Sequence, residues 1–325
     1  MEEELPEAPP ARRWTKRRIF GAMFVLLVLL LAFAWWKRVD IADSYVRDYL
    51  EKNDVRATYE IEDIGFRAQR IRNVIVGDPA NPDLTAKIVD IELSIGFGQP
   101  ALREIRADGV RLKGRFSNGK LYLGELDKMR DMESKEPVSL PDLNVRLTDA
   151  VLSLVTPWGG LGVAAQGSGN LRNRFDGKLV ARSRQMAGSG CTAQSIRYDG
   201  AVRIRNVRPE FIGPLAAAFI KCEDQKLALE APEISGKVQF TETFDRWIGD
   251  VAVQAKSAQS GKRRAEAVAG KLSFNGGLQR TEYKLALSDA ALRMPELQMR
   301  KLAVDAEGSF SFSDSGIALT ARGDA

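Results

Sequence analysis

The chain contains no histidine, so it lacks the commonest general base near neutral pH and the commonest ligand for transition metals. Carboxylates, lysines and serines can do such chemistry alone, but the sequence shows no nucleophile elbow, zinc-ligand spacing or phosphate loop. Acidic residues fall on the polar sides of alternating segments, as Asp90 and Glu92 do, where hydration accounts for them. Gly159 to Asn170 carries Gly159, Gly160, Gly162, Gly167 and Gly169, but Arg172 occupies the place of the helix-opening glycine of a dinucleotide fingerprint. That stretch reads as turns and bends in a sheet. Lys262-Arg263-Arg264 could touch anionic head groups, but beside Gly261 it better suits a solvated loop. No catalytic residue, metal site or cofactor is assigned, and the expectation is a protein that is not an enzyme. Cys191 and Cys222 are the only cysteines. Outside the cytoplasm such a pair can oxidise; the other reading is two unpaired thiols.

What positions these residues begins with a membrane signal. Ile19 to Trp36 holds eighteen residues without a charge, and a helix of that length spans about 27 Å, close to the hydrocarbon core of a bilayer. Arg12, Arg13, Lys16, Arg17 and Arg18 precede it, which keeps the N-terminus in the cytoplasm and exports the chain from Asp40 onward. Arg17, Arg18, Trp35 and Trp36 are the expected membrane-interface residues. A cleaved signal peptide competes, since Ala32-Phe33-Ala34 fits its cleavage pattern, but the two tryptophans and the acidic Glu2, Glu3, Glu4 and Glu7 suit it poorly. Of the net charge of +5, residues 1–38 supply +3. The positive excess therefore serves topology, and no nucleic-acid partner is expected.

Beyond the anchor, Ile41, Tyr45 and Tyr49 recur at four-residue steps, predicting a short amphipathic helix ending near Asn53. From Ala57 the period becomes two. Val89, Ile91, Leu93, Ile95 and Phe97 share one face of a strand, with Asp90, Glu92, Ser94 and Gly96 on the other. Val110 to Phe116 repeats the pattern, and Asn118-Gly119 predicts a hairpin turn. Glu125 to Met132 suits one or two helical turns, and Glu133 to Pro141 reads as a boundary. Pro209 to Cys222 is apolar and compatible with a helix kinked at Pro214. Short period-two strands then follow, among them Val251/Val253, Leu285/Leu287 and Phe310/Phe312, and the chain stops within such a strand as if it were part of something longer. The resulting organisation is a cytoplasmic tail (1–18), an anchor (19–36), a juxtamembrane helix (37–53), a first β segment (54–133) and a second (134–325). The fold class is mainly β, an antiparallel sheet with a few short helices.

The arrangement resembles the AsmA-like family of bacterial envelope proteins, the bridge-like group that includes TamB, and within it the YdbH branch. The resemblance is carried by the basic tail, the single anchor and the short helix, then by Ile71-Arg72-Asn73-Val74-Ile75-Val76-Gly77-Asp78-Pro79, Ala86 to Ser94 and Ala107 to Gly114. It implies an extended, curled sheet forming an apolar groove, in a periplasmic protein anchored in the bacterial inner membrane that carries phospholipids toward the outer membrane. It also implies a small outer-membrane lipoprotein as partner. Members that bridge both membranes are much longer than 325 residues.

A strand with one apolar side needs that side covered by a second sheet, by helices or by a ligand. Two readings follow: a β-sandwich with a dry core, or an open trough lined by Val89, Ile91, Leu93, Ile95, Val110, Leu112, Phe116, Val202, Ile204, Val238 and Phe240. A function of another class, an envelope structural or assembly factor that binds proteins at exposed sheet edges, is the alternative.

Overall fold

The computed structural model describes residues 38–65, 68–94, 101–118, 120–129, 140–277, 279–293, 298–313 and 316–324. The expected anchor, with Arg17, Arg18, Trp35 and Trp36, lies outside the described residues, as do Ile95, Phe97 and Gly119. Among the described residues no helix is long and apolar enough to cross a membrane. The chain divides into two units, residues 1–49 and 50–325.

Helix α1 (Arg38–Lys52) occupies the place its four-residue spacing predicts. Asp43 and Arg47, one turn apart, pair at 2.5 Å. The helix closes with Asp54 at φ 51, whose N–H donates to Glu51 O, while Val55 N–H donates to Leu50 O.

Everything after it is dominated by strands. The first are β1 (Ala57–Ile64), β2 (Ala68–Asp78), β3 (Asn81–Ser94), β4 (Ala101–Asp108), β5 (Arg111–Ser117) and β6 (Lys120–Tyr122). A 3₁₀ turn, Gly124–Met129, stands where helical turns are expected. There follow β7 (Asn144–Thr156), β8 (Gly159–Asn170), β9 (Phe175–Gly188), β10 (Cys191–Arg205), β11 (Arg208–Ala216), β12 (Phe219–Cys222), β13 (Leu227–Glu230) and β14 (Glu233–Phe240). The last are β15 (Arg246–Ser260), β16 (Arg263–Gly277), β17 (Thr281–Arg293), β18 (Gln298–Ser313) and β19 (Gly316–Asp324). All nineteen belong to one curled sheet. The hairpin expected at Asn118 joins β5 to β6, with Ser117 opposite Lys120 and Asn118 at φ 52.

The sheet is a ribbon in which each strand pairs with the next, but three rungs are shared. β4 and β5 lie end to end against β3, β11 and β12 against β10, and β13 and β14 against β15. At the first of these the antiparallel expectation fails: β7 runs parallel to β4 and β5, with Ile105 opposite Val145 and Leu112 opposite Leu152. Parallel neighbours cannot be joined by a tight turn, and the chain spends β6, the 3₁₀ turn and the residues up to Leu143 on the return.

Pro209 to Cys222 is not a helix but strands β11 and β12. Its apolar residues satisfy either pattern, and tertiary pairing decides: Phe211 stands between Val202 of β10 and Val238 of β14. Pro214, which has no N–H, falls where the β10 ladder is interrupted between Ile212 and Leu215. Gly159 to Asn170, expected as turns and bends, is the continuous strand β8.

A line of left-handed residues crosses the first rungs. Asn73 (φ 50), Gly109 (φ 64) and Asp149 (φ 53) stand beside one another in register, with Lys87 between the first two. At this line the apolar positions change parity, from Ile71 to Val74, from Ala107 to Val110 and from Leu147 to Ala150. Each left-handed residue turns its strand so that the apolar side chains stay on one side of the sheet. Position 109 favours glycine, because φ there is 64 and a Cβ would stand 2.5 Å from the Lys87 methylenes, which would have to move.

Candidate functional site

Residues directly opposite on neighbouring strands share a face, so the register traces what crosses the ribbon. Ala57 stands opposite Val76, Val76 opposite Leu84, Leu84 opposite Leu112 and Leu112 opposite Leu152. The line continues through Val163, Ala181, Tyr198, Leu215, Ile234, Val253, Gly270 and Leu287 to Val304 of β18. A second line runs from Ile61 through Ile71, Val89, Ala107, Leu147, Gly167, Gly177, Val202, Phe211, Val238, Gly249 and Phe274 to Tyr283 and Gly308. From β8 onward the two lines are four residues apart on each strand, roughly 13 Å, and so on the same face. That face is apolar or glycine at every one of these positions from β1 to β18, apart from the two tyrosine hydroxyls.

Most of this face is half-buried. Alanine isolates the effect of position from that of size: Ala165 is half-buried while its neighbour Ala164 is exposed, and Ala255, Ala265 and Ala306 are half-buried while Ala252, Ala269 and Ala286 are exposed. Curvature toward one side, with larger apolar neighbours there, shelters that face without sealing it. A two-layer core of this extent would bury Leu, Ile and Phe completely, yet among the described residues the only side chain of that class is Thr281. Val76 and Val251 are buried singly, and one cluster is tightly covered. Val145, Phe175 and Ile204 are buried beneath Leu140, Leu143, Leu171 and Val202.

Glycines keep the floor low. The Phe175 ring lies 2.7 Å from where a Cβ at Gly167 would stand, and the Phe274 ring 2.4 Å from that of Gly249. Both rings therefore lie along the sheet instead of standing up from it.

The other face is charged. Arg70 pairs with Asp90 at 2.6 Å, Arg106 with Glu92 at 2.8 Å and Glu104 at 2.9 Å, and Arg111 with Asp149 at 2.8 Å. Hydrogen bonds from these arginines hold Asp90, Glu104 and Asp149 below the usual carboxylate range. Glu125, on the 3₁₀ turn, is held down to about 2 by hydrogen bonds from Lys128 and then from Arg56. A concavity of about 850 Å³ also lies on this polar side, bordered by Asp250, Arg280, Glu282, Lys284, Glu307 and Arg322. Its charges are balanced and its side chains exposed.

The residues expected to line a groove are distributed as follows. Val89, Leu112, Val202 and Val238 lie on the two lines, and Val110 lies between them, next to the line of parity change. Ile91 faces Ile105, and Leu93 faces Leu102. Ile204, 5% exposed, belongs to the covered cluster. Phe116 stacks on Trp158 at 5.8 Å, and Phe240 packs edge-on to Phe211 at 5.6 Å and beside Trp247. Leu84, Leu152, Val163, Ile234 and Leu287 share the face but were not singled out from sequence. Their period-two spacing was visible; their alignment across strands was not. Phe211 and Leu215 were missed because their segment reads as helix. Cys191 and Cys222 stand directly opposite on β10 and β12, and their sulfurs are bonded.

The family model described as "YdbH-like: Intermembrane phospholipid transport protein YdbH" matches residues 25–323. No curated protein and no solved structure matches the chain.

Proposed function

As the chain belongs to the YdbH-like family, we propose that it moves phospholipids between membranes by sheltering their acyl chains on the apolar face of its sheet. The observation that supports this most is the pair of unbroken apolar lines crossing every rung from β1 to β18, most of whose residues are half-buried. Taking an acyl chain of about sixteen carbons through water costs on the order of 12 kcal/mol at about 0.8 kcal/mol per CH₂. A continuous apolar floor removes most of that barrier without bond chemistry, so the reading needs no catalytic residue and no cofactor. In this proposal residues 19–36 anchor the chain in the bacterial inner membrane, with Arg17, Arg18, Trp35 and Trp36 at its interfaces. The two β segments, 54–133 and 134–325, form one path through the periplasm toward a small outer-membrane lipoprotein.

A photo-crosslinking amino acid at Ile91 or Leu112 is expected to capture phospholipid, and one at Asp90 or Arg111 to capture none. Equal labelling of the two faces would rule out the path. A second reading, protein binding by strand addition, draws on the two outermost strands: among the described residues β1 pairs only with β2 and β19 only with β18. Recovery of a bound peptide strand and no lipid from the purified chain would favour it.

A further inference from the structure

We infer that the rim formed by the β8–β9 and β10–β11 turns is a binding site for the phosphate of a membrane phospholipid, engaged while the acyl chains lie on the apolar face. The inference rests on the lipid-carrying reading above and adds to it the group that would be recognised.

The two turns are laced into one ledge. Val207 N–H donates to Arg172 O at 2.9 Å, Arg174 N–H to Ile204 O at 2.9 Å, and Asn206 N–H to Asn173 Oδ1 at 3.2 Å. Three of its residues are held at left-handed φ: Arg174 at 67, Asn206 at 50 and Val207 at 58. For a β-branched residue such as Val207 that conformation is strained, and it persists only where the surroundings fix it.

This ledge presents Arg172, Arg174, Arg203, Arg205 and Arg208, with Arg205 directly opposite Arg208. Arg203 and Arg205 share the carboxylate of Asp176. Arg172, Arg174 and Arg208 are exposed, and among the described residues no carboxylate pairs with them. Immediately below, Leu171 of the same turn packs on the buried Val145, Phe175 and Ile204. Arginines on a backbone held in place thus stand at the margin of an apolar surface, the arrangement that matches a phosphodiester with two acyl chains attached. At the turn Lys262-Arg263-Arg264, by contrast, Arg264 is drawn to Glu230 and Glu266, and the buried cluster lies elsewhere.

The test loads the full chain in detergent with equal amounts of phosphatidylglycerol and diacylglycerol bearing the same acyl chains, then reads the bound ratio by mass spectrometry. The unaltered chain is expected to favour phosphatidylglycerol by about tenfold or more, as three cations at a lipid head group imply. That preference should shrink at about 1 M salt, where the screening length falls to about 3 Å. The combined substitution Arg172→Gln, Arg174→Asn, Arg208→Gln should bring the ratio close to unity with total bound lipid unchanged, and Arg172→Lys, Arg174→Lys, Arg208→Lys should retain most of it. A ratio that the first set leaves unaltered overturns the inference while the carrier reading stands; a chain that binds neither lipid overturns both. Millimolar inorganic phosphate should leave the ratio alone, and if it abolishes the preference the rim binds free phosphate and the lipid assignment fails.

Discussion

Two stretches of the same apolar face differ in how they are covered. At Val145, Phe175 and Ile204 the face is closed over by Leu140, Leu143 and Leu171, and Ile204 is 5% exposed. Along Leu112, Leu152, Val163 and Ile234 the same kind of side chain, on the same kind of strand, stays half-buried. The alternation is alike in both, so alternation makes an apolar face and connecting segments decide whether it becomes core. Where cover is present the face contributes stability; where it is absent the face is left for something else to occupy.

Substitutions can break that contrast. Ile204→Ala should cost about 2–4 kcal/mol, the usual result of opening a cavity in a packed site, measured by chemical denaturation of the full chain. Leu152→Asn should cost about 1 kcal/mol or less and reduce retained lipid roughly fivefold, the equivalent of about 1 kcal/mol of acyl contact. If Leu152→Asn destabilises the chain as much as Ile204→Ala does, the open line is ordinary core and the carrier reading goes with it. The smallest effect is expected at the 3₁₀ turn. Because Glu125 is depressed to about 2 in the folded chain, its bonds to Lys128 and Arg56 contribute fully above its ordinary value of 4.5 and are lost as pH falls from there through about 2. Hydrogen-exchange protection, taken relative to the intrinsic rate at each pH, should fall at Glu125 to Met129 across that interval while protection at Val145 and Ile204 stays flat.

Much of this was legible in the residues. The hairpin at Asn118, the helix ending before Asn53 and the strand through Val89 and Ile91 follow from local spacing and turn chemistry, which act within a few residues. The parity change at Asn73, Gly109 and Asp149 left a weaker trace, a run in which apolar positions pass from odd to even. Its meaning needs the register, since one left-handed residue reads as a turn and a row of them reads as a device for keeping one face apolar. Pro209 to Cys222 misled because an apolar, alanine-rich run is consistent with a helix until strands β10 and β14 are there to pair with it. The arginine ledge was invisible for a related reason: Arg172 and Arg208 are far apart in sequence, and only the bonds between two turns bring them to one rim.

Composition and spacing by themselves established a β-rich chain with segregated faces, no histidine and a charge-free N-terminal stretch, because these depend on residue identity and short-range periodicity. The tertiary structure decided which strands neighbour which, where the ribbon turns parallel, that the apolar positions join into continuous lines, and which of them are covered. Those outcomes depend on contacts between residues tens to hundreds of positions apart, whose energies no local pattern records.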